Sequence, residues 1–163
     1  MGSGGTGVGG AGGFGGATDY GTCFPYSYDT HDYIFCDGEG TWEEARVACL
    51  SRGMLLARID DATEDDWVTS TAAVHFGAGG RVYAWLGGDD LALEGDWRWQ
   101  DGTAFWSGDY QGSAVDGLYT NWRSGDPNNL DGVEHCLAVN IASNPDWIDY
   151  DCALVAQVVC ESY

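Results

Sequence analysis

Read for the spacing of apolar residues, the chain divides into an unpatterned start and a patterned body. Residues 1–19 are rich in glycine and show no apolar period, which predicts a flexible tail or linker. From Tyr20 to Cys36, aromatic residues alternate with turn formers (Phe24-Pro25, Tyr26, Tyr28, Tyr33-Ile34-Phe35), predicting a β-hairpin. Thr41-Trp42-Glu43-Glu44 has the form of a capping box, in which the Thr hydroxyl and the Glu carboxylate satisfy N–H groups that a helix start leaves unpaired. The helix that follows lines one face with Ala45, Ala48, Cys49 and Leu50 and stops at Gly53. Met54 to Ile59 reads as a buried strand. Thr63, with Asp66 three residues on, starts a second helix whose Trp67, Val68, Thr71, Ala72 and His75 recur at helical spacing.

Val82 to Gly87 is the next strand, expected at the centre of the sheet. From there to Cys136 the chain is mostly loop, rich in Gly, Asp and Trp, with only Trp97-Arg98-Trp99 strand-like. So long an irregular connection is uncommon unless it is functional. Cys136 to Asn140, Trp147 to Cys152 and Gln157 to Cys160 then complete an antiparallel sheet. The pattern predicts one α+β domain over residues 20–163, two helices flanking antiparallel sheets, a size that suits a single core.

Composition narrows the chemistry. Acidic residues number 26 against 6 basic ones, all Arg, for a formal charge of -20. That surface repels phosphate backbones, which argues against nucleic acid, and attracts divalent cations; solubility is its plainer use. Asp60, Asp61, Glu64, Asp65 and Asp66 are assigned to the second helix's N-terminal dipole rather than to a cation. His31, between Asp29 and Asp32, is assigned to a solvated turn. Six cysteines without a CxxC pair indicate disulfides and an oxidising compartment, hence a secreted or surface location; 15 pairings are open. No apolar run is long enough for membrane insertion. Gly7 to Gly12 fits GxGxxG but lacks the strand and helix of a dinucleotide site, and there is no GxSxG or HExxH, so no catalytic residues are assigned.

The richest stretch runs from Asn121 to Tyr163. Asp126, Asn128, Glu134 and Asp149 are oxygen ligands interleaved with Cys136, Cys152 and Cys160. Calcium takes about 6–8 oxygens, and a Cys136–Cys152 bond would clamp the two turns that carry these four.

The stretch resembles the C-type lectin domain, whose C-terminal half reads W-x-x-G-E-P-N-N, E-x-C, W-N-D-x-x-C and C-E. The matching residues are Trp122 to Asn129, Glu134-His135-Cys136, Trp147 to Cys152 and Cys160-Glu161; upstream, Trp85-Leu86-Gly87-Gly88 is similar to the family's W-I-G-L strand. The resemblance covers residues 20–163. It implies a C-type lectin-like fold with a long, irregular ligand-binding loop region and the pairs Cys23–Cys36, Cys49–Cys160 and Cys136–Cys152. It also implies Ca2+ held by Asp126, Asn128, Glu134 and Asp149, with the same residues hydrogen-bonding sugar hydroxyls. Tyr150, together with Trp106 and Tyr110 of an apparent insertion, is expected to stack on a sugar, and Trp147 to lie in the core.

Two departures matter. Ile148 replaces the Asn of W-N-D and has no oxygen to give; Asp126 replaces Glu and is one methylene shorter. Calcium binding is therefore expected to be weakened. An auxiliary calcium is implied at Asp90, Glu94 and Asn129, but His135 stands where an Asp is expected. Imidazole suits calcium poorly, so that site is expected to be half-formed and His135 to be a plain surface histidine. In the resembled family the order acid-Pro-amide goes with sugars of the mannose or glucose type, so the resemblance implies mannose-, fucose- or glucose-type glycans or glycoproteins as partners. The alternative is a calcium-independent scaffold that binds protein or self-associates through the tail or long loop.

Overall fold

The computed structural model describes residues 20–77, 82–141 and 145–163. The expected tail, residues 1–19, lies outside the described residues. Strands β1 (Cys23–Tyr28) and β2 (His31–Gly40) form the expected hairpin, in register Cys23↔Cys36. Its two-residue turn places Asp29 at φ 49, a left-handed conformation that Asp tolerates better than most residues.

Helix α1 (Trp42–Leu50) carries the expected capping box, with Thr41 N donating to Glu44 Oε2 at 2.9 Å. It buries Trp42, Ala45 and Cys49; Leu50, placed on the apolar face by spacing, is 44% exposed because it lies one position past the buried stripe. Only Leu55–Leu56 of the expected 54–59 strand pairs as one (β3). Ala57 and Ile59 are nonetheless buried, and Ala57 N donates to Val159 O at 2.9 Å.

Helix α2 (Ala62–Phe76) starts before Thr63. Asp61 is the cap, its Oδ1 accepting from the N–H of Thr63 at 2.7 Å and of Glu64 at 2.9 Å, which satisfies two of the donors a helix start orphans. No helix among the described residues is long and apolar enough to cross a membrane.

Strand β4 (Tyr83–Asp89) is the centre of the sheet, as expected, pairing with β5 (Asp96–Trp99), β8 (Glu134–Asn140) and β10 (Ala156–Glu161). The sheet is mixed rather than wholly antiparallel: β10 runs antiparallel to β2 and β3 but parallel to β4. A Cβ at Gly87 would come 2.7 Å from Leu56 O, so β4 needs glycine where β3 crosses close to it. The long connection is more regular than its sequence suggests. β6 (Ala104–Ser107) and β7 (Ser113–Ala114) extend the sheet beyond β5, so the insertion is a hairpin and not a cover. Strand β9 (Asp146–Asp151) pairs with β8 off the main path.

Among the described residues, buried side chains form two clusters. One gathers Phe35, Val68, Leu86, Trp97, Trp99, Phe105, Leu137 and Trp147. The other holds Trp42, Leu56, Trp85, Ile148 and Val158 around Cys36, Cys49, Cys136 and Cys160. Trp42 and Trp85 donate Nε1–H to Leu86 O (3.0 Å) and Gly40 O (2.8 Å), so each ring is buried with its polar handle satisfied. The three disulfides are those the resemblance implies, with no free cysteine. Cys49–Cys160 spans 111 residues, and a loop of ~100 residues is the kind whose closure is worth most, ~4.7 kcal/mol in the chain-entropy model.

Candidate functional site

The loop before β8 is moored to β9 by backbone and to α2 by one carboxylate. Trp147 N donates to Asn121 O and Arg123 N to Trp147 O, each at 2.8 Å. Asp65, 3% exposed, accepts from Tyr119 Oη (2.9 Å), Asn121 Nδ2 (2.7 Å) and Trp147 Nε1 (3.2 Å). Its assignment to the helix dipole alone is therefore corrected: α2 turns this acid inward, and it fastens the loop. Burial still leaves its carboxyl above the ordinary range against the pull of those donors.

Beyond this mooring the loop carries Asp126, joined by a cis peptide to Pro127. Asp126 is buried. Its Oδ2 accepts from Arg123 Nε at 2.8 Å and lies 2.7 Å from Arg123 Nη2, and its Oδ1 accepts from Asn128 Nδ2. Asp149, 2% exposed on β9, accepts at Oδ2 from the backbone N–H of Asn128 (2.6 Å) and Asn129 (2.5 Å). Its Oδ1 is buried with no hydrogen-bond partner. Glu134 opens β8; its Oε2 accepts from Leu130 N at 3.1 Å, and its N–H donates to Asn129 Oδ1 at 3.2 Å.

Asp126, Asn128, Glu134 and Asp149 are thus brought into one neighbourhood. The electrostatics carry the mark of crowded acids. Burial, with Asp126 adding, pushes the Asp149 carboxyl up to about 6 despite its two backbone bonds. Burial and the charges of Asp149 and Asp126 raise Glu134. An orphaned buried carboxylate oxygen among like charges is costly on its own. Hard oxygen donors with surplus negative charge fit a hard cation such as calcium.

Two neighbours of Asp149 on β9 point away from this cluster. Side chains alternate across a strand, so Ile148 and Tyr150 face away from Asp149. Ile148, 3% exposed, belongs to the second core cluster. Tyr150 is half-buried, its ring tilted against those of Tyr83 and Trp85 with centroids 5.0 and 5.6 Å away. Trp147 is in the core, as expected. Trp106 and Tyr110 do lie beside the site: they line an open groove of about 380 Å³ with Trp122, Arg123 and Asp126. A larger groove, about 590 Å³, lies elsewhere, between the first hairpin and Arg52-Gly53-Met54.

The auxiliary residues also converge. β4 pairs with β8 so that Asp89 faces Cys136, which puts Asp90 next to His135. His135 Nδ1 is 3.0 Å from Asp90 Oδ1 and 3.4 Å from Glu94 Oε2, and Asn129 Nδ2 donates to Glu94 Oε2 at 2.5 Å. Burial raises both carboxyls above their ordinary values. His135 is therefore a hub of this cluster, correcting its reading as a plain surface histidine.

His31 is also corrected. Its Nδ1 pairs with the carboxylate of Glu161, which is 2% exposed and accepts from Tyr33 Oη, Tyr163 Oη and Arg58 N. Only the C-E motif pointed to residue 161; pairing to a histidine 130 positions away has no local signal.

The Lectin C-type domain family model matches residues 39–162. A perlucin-like protein of Mytilus galloprovincialis is 35% identical over 127 residues, covering 77% of this chain and 71% of that one. Ladderlectin of Oncorhynchus mykiss is 29% identical over 127 residues, 78% of this chain but 60% of its own length, so the chain spans less than two thirds of that relative. Among solved structures, the C-type lectin CEL-I from Cucumaria echinata superposes with a TM-score of 0.70 at 25% identity, covering 84% of this chain and 93% of that one. The match in sequence runs through both carboxylate clusters and the match in structure through the sheet that holds them, and the chain belongs to the C-type lectin domain family, a family of binding domains and not of enzymes.

Proposed function

We propose that this domain binds carbohydrate weakly and through calcium, using Asp126, Asn128, Glu134 and Asp149. The observation that carries the reading is Asp149 Oδ1, a buried carboxylate oxygen without a partner. Calcium would supply there a positive charge and open coordination positions for two sugar hydroxyls. The chain's own residues supply the rest. Carboxylates of Asp126, Glu134 and Asp149 accept hydroxyl protons and the Asn128 amide donates. The order Asp126-Pro127-Asn128 supports vicinal equatorial hydroxyls, as in mannose-, fucose- or glucose-type glycans and glycoproteins. Burial of Ile148 leaves one hydroxyl without an amide donor, which supports weak affinity and modest discrimination. Three disulfides support a secreted or surface-displayed setting.

Immobilised mannose and immobilised galactose, each washed with calcium and then with chelator, test this. Retention on mannose that chelator releases is the expected result. Retention on galactose alone, or on mannose despite chelator, overturns it.

One observation favours a second reading. Arg123 already neutralises Asp126, as it would in a calcium-independent scaffold that binds protein or self-associates through the long loop. Calcium at about ten times its dissociation constant adds about 1.4 kcal/mol to a protein that binds it only when folded. A melting temperature unmoved by about 10 mM calcium, ten times a dissociation constant of about 1 mM, would favour the scaffold.

A further inference from the structure

Calcium fits the first cluster better than the second. Asp90, Glu94 and His135 present two oxygens and a nitrogen, all within 4.8 Å of one another. Imidazole suits zinc, copper, nickel or iron, whereas calcium asks for about 6–8 oxygens. The spacing carries the same preference. Bonds of about 2.0–2.2 Å at tetrahedral angles set ligand atoms about 3.3–3.6 Å apart. His135 Nδ1 is 3.4 Å from Glu94 Oε2, the length of such an edge, and 3.0 Å from Asp90 Oδ1, a hydrogen-bond distance that an ion would open slightly.

We propose that Asp90, Glu94 and His135 form a zinc-type site, taking a borderline divalent transition metal in place of calcium. Two carboxylates and a neutral imidazole balance a divalent charge, and three protein ligands leave a fourth position to water. Asp90 is also held from behind, as metal ligands generally are: Gly95 N donates to its Oδ2 at 2.8 Å, leaving Oδ1 to the ion. Asn129 Nδ2 donates at 2.5 Å to Glu94 Oε2, the oxygen nearer His135, and would share that carboxylate with the ion. The Asp90 side chain is fully buried at the end of β4 and His135 lies on the adjacent β8, so two ligands sit on or beside rigid strands. Glu94, 55% exposed, gives the ion its way in.

The other described imidazoles are engaged. His75 Nε2 is 2.8 Å from Tyr26 Oη, and His31 pairs with Glu161. The inference does not rest on carbohydrate binding. It touches that site through Asn129, whose backbone N–H donates to Asp149 and whose Oδ1 accepts from Glu134 N, and through His135, which follows Glu134 on β8.

The test is a titration of chelator-stripped full-length protein with zinc chloride alone, read by calorimetry and by melting temperature. One zinc per chain and a raised melting temperature are expected, not reversed by equimolar calcium. His135→Ala should weaken binding on the order of 100-fold or more, since even residues that only orient a ligand cost 10–100-fold. His75→Gln, at an imidazole outside the cluster, should leave it unchanged. Cobalt(II) in place of zinc should show the visible absorption of tetrahedral coordination, absent in His135→Ala. If His135→Ala does not fold, Glu94→Gln at the half-exposed ligand answers the same question. Absence of zinc binding, zinc binding unchanged by the ligand substitution, or displacement by equimolar calcium would each overturn the proposal.

Discussion

Arg123 grips Asp126 through a single carboxylate oxygen, Nε at 2.8 Å and Nη2 at 2.7 Å, so the acid of the Asp-Pro-Asn turn is already charge-paired. A cation entering the cluster must share Asp126 with that guanidinium. Arg123→Gln is therefore expected to lower the calcium concentration at half-maximal melting-temperature rise by several-fold. The backbone bond from Arg123 N to Trp147 O, which helps moor the loop, is unaffected by the change. A midpoint that stays put or moves up would show that Arg123 does not compete with the ion.

Asp149→Asn separates a ligand from a structural acid. An amide can still accept from Asn128 N and Asn129 N, while the buried charge disappears. Burial holds the Asp149 carboxyl at about 6, above the usual 3.8. At pH 7 its ionised form thus costs the metal-free fold at most about 3 kcal/mol. The metal-free variant is expected to melt at or above wild type and to lose its response to calcium. A preserved response would remove Asp149 from the ligand set.

Asp65→Ala tests the mooring. Its sequence position suggested an acid dispensable to the site. With three donors converging on it, truncation strips the buried Trp147 N–H and the half-buried Tyr119 O–H of their acceptor and leaves Asn121 Nδ2 only Pro145 O, at a cost of about 2–4 kcal/mol. Chemical denaturation should show that loss, and the calcium midpoint should rise because the loop that carries Asp126 is loosened. A stability within about 0.5 kcal/mol of wild type would fit a surface acid instead.

The His31–Glu161 pair predicts a pH dependence with a definite sign. Its hydrogen bond to Glu161 raises His31 above 6.5, with the charges of Glu64 and Asp60 adding and desolvation opposing. A raised histidine stabilises fully below its unfolded value and loses that contribution as pH rises through the folded one. Burial raises Glu64, whose ionisation therefore also costs stability as pH climbs above 4.5. In chelator, the melting temperature should fall from pH 6 to pH 8. His31→Gln should flatten that slope above pH 6.5; an unchanged slope would assign it to other groups.

The fold and the site were not equally legible in the sequence. The capping box at Thr41, the hairpin after Tyr20 and the central strand up to Gly87 are written in short spans, whereas the proposed set Asp126, Asn128, Glu134 and Asp149 came from the family resemblance. The signals of the first three are local: a hydroxyl three residues from a carboxylate, an alternation, a turn residue. The start of α2 was misplaced by two residues because Asp61 and Thr63 are both good caps, and only the backbone shows which carboxylate reaches the first free N–H groups. Trp106 and Tyr110 were legible as aromatics of an insertion and as candidates to stack on a sugar. That they face Asp126 depends on β6 and β7 pairing beyond β5.

By itself the sequence determined most of the elements, β6 and β7 excepted, because their signals lie among neighbours along the chain, while the cysteine pairing came from the family resemblance. Tertiary structure alone decided the partners. The register of β4 against β8 delivered His135 to Asp90 and Glu94, the pleat of β9 turned Asp149 to the site and Ile148 and Tyr150 away from it, and the packing of α2 put Asp65 under the loop. A one-residue shift in either strand would send every side chain to the other face. Contacts of that kind join residues tens of positions apart, and their energy exists only after the chain has closed around its core.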